Sequence, residues 1–253
     1  MKKYAVYANI VNSLDFSGFT IRELDLFMAI CSLQNGKASE LCVYTFEALK
    51  DYLSWDKSQS QKVFTNTLKR VSMKMLDING AFELGHEFFA FSLFSTFRVN
   101  EGEKTLTVRT NPDFVDLLNY FLANFTVIEL QEYISLKSKY AKILYQHLRQ
   151  YKSTRIWYLT TPELKKTLFV PKNYEMKKIM QRVITKPIEE LGKLQEFKGI
   201  KVETFTEGTR NKIVGFQFTW EEADKPKYIK SSKAGFKENT YDFDELEKQL
   251  IAN

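Results

Sequence analysis

Histidine is almost missing from this chain: of 253 residues only His86 and His147 are of that type. They are isolated from each other, so they cannot form the His-x-His metal site that a nicking nuclease needs. Cysteine is as scarce. Cys31 and Cys42 lie in the apolar contexts AICSL and ELCVY, which suits reduced, buried residues of a cytosolic protein better than a disulfide framework. No apolar run is long enough to cross a bilayer, and MKKYAVYANIVNSLD lacks the small-residue cleavage site of a signal peptide. A cytoplasmic chain without membrane contact is expected. There is no G-x-x-x-x-G-K-[ST] phosphate loop, which argues against an intrinsic NTPase. The acidic neighbours Glu189 with Glu190, and Glu221 with Glu222, have no spacing that singles out an acid–base couple. The expectation is a protein that is not an enzyme and holds neither metal nor cofactor.

What is present is apolar and aromatic. Hydrophobic residues make up 44% of the chain, with 21 Phe and 13 Tyr, while ten Gly and five Pro are few. That composition belongs to a folded protein of one or two domains. The formal charge of +6 is unevenly spread. Residues 1–125 hold 13 Lys/Arg against 14 Asp/Glu, residues 126–220 hold 18 against 9, and residues 221–253 hold 6 against 8. The positive excess therefore lies wholly in the middle segment, the electrostatic footprint of a phosphate binder. A membrane surface would attract the same charge, but the accompanying apolar face is better explained as core.

Within that segment, SKYAKILYQHLRQYKST (138–154) has the period of an amphipathic helix. Tyr140, Leu144, Leu148 and Tyr151 share one face, and Lys139, Lys142, Arg149 and Lys152 the other, with no acid in the stretch. Around it, period and punctuation give two passes through a similar order of elements. The first holds the helix FTIRELDLFMAICSLQNG, with Thr20 and Glu23 as a capping box and Gly36 at its close. It continues with the strand ELCVYT, the helix FEALKDYLSW, and a helix from SQSQKVF with Ser58 and Gln61 as capping box. HEFFAFSLFSTFRV and KTLTVRT follow as strands joined by NEGE, and NPDFVDLLNYFLANF is a closing helix with Pro112 at its start. The second pass holds two consecutive helices over TVIELQEYISLKSKYAKILYQHLRQYKS, the strand IWYLT, and a helix opened by Thr161 and Pro162. The turn VPKN leads to a long helix from Tyr174 to about Lys193, and a hairpin ends in GFQFTW with its tip at EGTRN. Pro187, inside the long helix, predicts a kink or a break there.

Helix, strand, helix, turn, helix and hairpin make a winged helix. The expected fold class is α+β: two tandem winged-helix domains, 1–125 and 126–220, with a short, partly disordered extension over 221–253 that ends in a short helix. In such a domain the second helix of the helix-turn-helix lies in the major groove, its first residues reaching base edges. Lys and Arg suit guanine, and Asn and Gln suit adenine. Lys172, Asn173 and Tyr174 at the helix entrance, and Lys177, Lys178, Gln181 and Arg182 on its polar face, are the candidate groove contacts. Arg210 and Lys212 at the hairpin tip are candidate backbone contacts. For any one of these residues a solvated surface is as good a reading. In the first unit Lys62, Asn66 and Lys69 share a face opposite Val63, Phe64, Leu68 and Val71; there a solvated face is the better reading and weak DNA contact the second.

The stretches FTVIELQEYISLKSKYAKILYQHLRQYKST, TTPELKKTLFVPKNYEMKKIMQRVITKPIEEL and FKGIKV…GTRNKIVGFQFTW resemble plasmid replication initiators of the RepB/RepE type. NSLDFSGFTIRELDLFMAICS and VRTNPDFVDLLN, in the first unit, resemble the theta-replicating branch of that family. The resemblance covers roughly residues 8–220. It implies a second domain that gives the main contacts to direct repeats, or iterons, in double-stranded origin DNA. It implies a first domain that adds DNA contacts and pairs subunits. It further implies monomers on iterons that bring in the host initiator and replicative helicase, and homodimers that repress their own gene. Carried over by position, Ser138, Lys139 and Lys142 lie near the phosphates. A winged-helix transcription regulator without an origin function stays open as the alternative.

Overall fold

The computed structural model describes residues 3–37, 39–56, 58–84, 86–114, 125–209 and 211–220. Residues 115–124 of the helix read over 111–125, the wing residue Arg210 and the extension 221–253 lie outside the described residues.

The chain opens with strand β1, Tyr4–Ala8, and a 3-10 turn, Asn9–Ser13. Helix α1, Ile21–Gln34, begins at the capping box read from the sequence: Thr20 accepts from the Glu23 amide, and the Glu23 carboxylate accepts from the Thr20 amide. Strand β2, Cys42–Thr45, leads through helix α2, Phe46–Tyr52, to helix α3, Gln61–Asp77. The cap of α3 is Ser60, whose hydroxyl accepts from the Val63 amide, and not Ser58. Ser58 instead bonds Asp56 in the preceding turn. Strands β3, Asn79–Leu84, and β4, Glu87–Ser92, form a hairpin, and β5, Phe94–Asn100, pairs with β6, Thr105–Thr110. HEFFAFSLFSTFRV is therefore two strands in two sheets, not one.

The segment TVIE is a third departure. It forms strand β7, Phe125–Glu129, antiparallel to β1, before helix α4, Leu130–Ser135, and helix α5, Lys139–Gln150. A short apolar run cannot by its period be told from a helical turn, and here the partner strand lies at the far end of the chain. Strand β8, Ile156–Thr160, runs into helix α6, Thr161–Thr167, which is capped by Thr160 and Glu163 rather than by Thr161. The long helix spans 176–191 in three consecutive pieces: α7, Met176–Ile179; a π-helical stretch, Met180–Thr185; and α8, Lys186–Leu191. Strands β9, Lys201–Glu207, and β10, Lys212–Thr219, close the second unit.

Two three-stranded antiparallel sheets establish the architecture. Their orders are β2-β6-β5 and β8-β10-β9. In each, the strand that follows a long helix, α1 in the first unit and α5 in the second, pairs with the last strand of the hairpin, so the two units share one winged-helix topology. The β3–β4 hairpin is inserted between the third helix and the wing of the first unit. Beneath β10, Phe216, Phe218 and Trp220 are buried in alternation, as their spacing predicts. Helix α5 differs from its reading. Six consecutive residues, 141–146, are buried, so it is a central helix enclosed by both units and not a surface helix.

Candidate nucleic-acid interface

The cations of α5 are spent inside the protein. Lys142 has no exposed surface; its ammonium donates to Asp25 at 2.5 Å and to the Tyr133 carbonyl. Burial pushes the Asp25 carboxyl up to about 6 against the pull of Lys142 and lowers the Lys142 ammonium. Lys139 donates to the Ser17 carbonyl at 2.6 Å, and burial lowers its ammonium too. Arg149 donates to the Val127 carbonyl at 2.7 Å and pairs with Glu196 at 2.7 Å. Ser138 caps α5 by accepting from the Ala141 amide. Its own amide and that of Lys137 donate to the Glu190 carboxylate. The expectation that Lys142 lies near phosphates is thus corrected. A cation enclosed on all sides cannot reach a DNA backbone, and its task is to join α1 to α5. Lys139 and Ser138 are half-buried and already engaged.

The long helix presents the opposite case. Lys172 and Asn173 in the turn before it, and Lys177, Gln181 and Arg182 on it, are exposed, while Ile179, Val183, Ile184, Pro187 and Leu191 are buried. Lys186, exposed on the same helix, extends the row. Its place at four-residue intervals from Lys178 and Arg182 is a usable signal, masked by the kink or break that Pro187 predicts. The helix does not break. Lys186 donates its amide to the Gln181 carbonyl five residues back, and Ile179, Met180, Thr185 and Lys186 keep right-handed helical backbone. Widening to the π form places Pro187 in a continuous helix although it has no N–H to give.

Two residues of the helix entrance are less free than their neighbours. Tyr174 is half-buried, and its ring lies 4.0 Å from the Lys178 ammonium. Burial with Tyr174 alongside pushes the Tyr140 phenol up to about 12. In the wing, Lys212 is exposed and stands opposite Glu207.

In the first unit, Lys62, Asn66 and Lys69 are exposed on α3, and Phe64, Leu68 and Val71 are buried behind them. Val63, expected on the buried side, is 43% exposed. Lys69 pairs with Glu101 at the surface, an interaction of small worth. Arg70 and Lys74 bind the buried Glu23 carboxylate, which stays well below the usual carboxylate range, at about 2, although desolvation alone would raise it. His147 is stacked on Trp157 at 5.0 Å and 11°, a packing residue, and His86 is exposed beside the β3–β4 turn.

Residues 4–149 match the family described as Initiator Replication protein, WH1, and residues 160–220 match Initiator Rep protein, WH2. The chain belongs to this family of plasmid replication initiators. Among curated relatives, the initiator is 31% identical over 222 residues to the probable replication protein rep of Bifidobacterium longum (strain NCC 2705). That alignment covers 87% of this chain and 73% of the relative. Among solved structures, it superposes on the Pi initiator protein in complex with iteron DNA with a TM-score of 0.64. Identity there is 16%, covering 87% of this chain and 98% of the other. Domains 2 and 3 of RctB align at a TM-score of 0.48 and 14% identity, covering 87% and 91%. The Pi likeness bears on the fold: two winged helices in succession. No helix among the described residues is long and apolar enough to cross a membrane.

Proposed function

We propose that this initiator binds double-stranded DNA at direct repeats of a plasmid origin, chiefly through the 126–220 unit, with the 176–191 helix in the major groove. The observation that carries the reading is the contrast between two cationic helices. Helix α5 turns its charge inward, while the next long helix leaves Lys177, Gln181, Arg182 and Lys186, and the turn before it Lys172 and Asn173, in solvent above an apolar underside. Charge kept exposed at the position of a recognition helix suits base and phosphate contact. The Pi initiator, a fold neighbour, was crystallised with iteron DNA, which supports the same ligand here. In this reading Lys178 and Tyr174 shape the helix entrance, and Lys212, with Arg210, meets the backbone from the wing.

The 1–125 unit has the auxiliary role, with Lys62, Asn66 and Lys69 making secondary DNA contacts and the unit pairing subunits in a repressor dimer. Monomers bound to repeats would bring in the host initiator and replicative helicase. A gel shift with DNA flanking the gene tests the proposal. Retarded bands rising stepwise with the number of direct repeats are expected. Binding confined to one palindrome, with no replication from the fragment, would make the protein a transcription regulator instead.

A further inference from the structure

We propose that Val63 is a specificity residue of the first unit: from the first turn of α3 its methyl groups meet the C5-methyl of a thymine in the repeat, beside an adenine taken by Asn66. The inference rests on the DNA-binding reading above and deepens it.

Phe64, Leu68, Val71 and Met75 complete the buried stripe of α3. Val63 stands at the edge of that stripe and looks out, with 43% of its surface exposed. Its backbone is held at both polar groups. The Ser60 hydroxyl accepts from the Val63 amide, and the Val63 carbonyl accepts from the Thr67 hydroxyl at 2.9 Å. A side chain on a capped first turn is displayed in a fixed direction. In a helix-turn-helix, the first residues of this helix are those that reach base edges.

The neighbours give the chemistry of the ligand. Gln61 accepts from Lys50 at 2.6 Å and donates to Thr65 at 3.4 Å, and Thr65 and Thr67 are buried. Lys62, Val63 and Asn66 are exposed on the same two turns. Val63 and Asn66, three residues apart, are neighbours on the helix surface. Helix α3 carries Lys62, Lys69, Arg70 and Lys74 against Asp77, so its field suits a polyanion. A protein partner would ask for the reverse, because lysine is depleted from the centre of protein interfaces. In the major groove an Asn side chain pairs with adenine N6 and N7, and the thymine methyl is the apolar feature of the base edges. An aliphatic side chain beside Asn66 fits a groove edge that carries both, whereas guanine and cytosine offer it nothing apolar.

The test uses the full chain, Val63→Ala and Val63→Thr. Dissociation constants are measured for a duplex of the bound repeat in which each thymine is replaced singly by deoxyuridine, a change that removes only the methyl. The parent should lose about fourfold in affinity at one or more thymines, the worth of one buried methyl. Val63→Ala should bind the unmodified repeat about fourfold more weakly and lose its sensitivity at one of those positions alone, because both changes remove the same contact. Val63→Thr, which keeps one methyl, should retain part of both. Losses at the other thymines, affinity for a scrambled duplex and melting temperature should match the parent. Undiminished affinity of Val63→Ala for the repeat, or deoxyuridine losses that persist at every position in that variant, overturns the inference. A fall in the variant's oligomeric mass does so too, because it would make Val63 a subunit contact. A parent protein that fails to prefer the repeat over the scrambled duplex defeats the DNA-binding reading itself.

Discussion

Lys142 sits with no exposed surface between Asp25 and the Tyr133 carbonyl, tying α5 to α1 across 117 positions of sequence. Truncating one partner of a buried ion pair strands the other charge, so Lys142→Ala should destabilise the fold by about 3–5 kcal/mol. Urea unfolding measures this. The slope of DNA affinity against salt should not change, because the residue meets no phosphate. His147 supplies a second residue-scale prediction. Burial against Trp157 lowers its imidazole from 6.5 to about 4. The unfolded chain therefore takes up the proton first, and this residue's share of stability is lost as pH falls from about 6.5 to about 4. His147→Phe keeps the stack and cannot titrate. Its unfolding midpoint should depend less on pH than the parent's across that window, with equal behaviour above pH 7.

Among elements, the most legible were those whose signals are local. Thr20 with Glu23 announces α1, and both members of the box are in place. Ser58 and Ser60 offer equally good oxygens before α3, and the choice falls to Ser60 because Asp56 takes the Ser58 hydroxyl in its own turn. Strand β7 was illegible because its pairing partner β1 stands more than a hundred residues away, beyond the reach of any period. The same limit hid the buried side of α5: a cation on a polar stripe looks solvated until Asp25 arrives from another helix. The β3–β4 hairpin carries its own test. Gly80 pairs with Phe91, and a Cβ there would lie 2.6 Å from the Phe91 ring and 3.0 Å from Leu14. Gly80→Ala should cost about 1–3 kcal/mol through forced repacking, read as a lowered melting temperature. Phe91→Leu in the same background should recover part of the loss.

Over the whole molecule, the imbalance of charge between segments was visible in the sequence, but its meaning changed on folding. Part of the 126–220 excess is used internally, at Lys139, Lys142 and Arg149, and what remains outside includes the Lys177, Arg182 and Lys186 row of the long helix and Lys212 in the wing. Composition counts charges and cannot say which are enclosed. The two-unit plan survived because it depends on element order, which both three-stranded sheets repeat. The 176–191 helix is where the DNA-binding proposal is most exposed to refutation. The decisive measurement is the affinity of the full chain and of Arg182→Ala for a direct-repeat duplex and for a scrambled one. If Arg182 reads a base, the variant should lose about 1–3 kcal/mol on the repeat and almost nothing on the scrambled duplex. Equal affinity of parent and variant for the repeat, with Lys177→Ala equally silent, would contradict the placement of this helix on DNA.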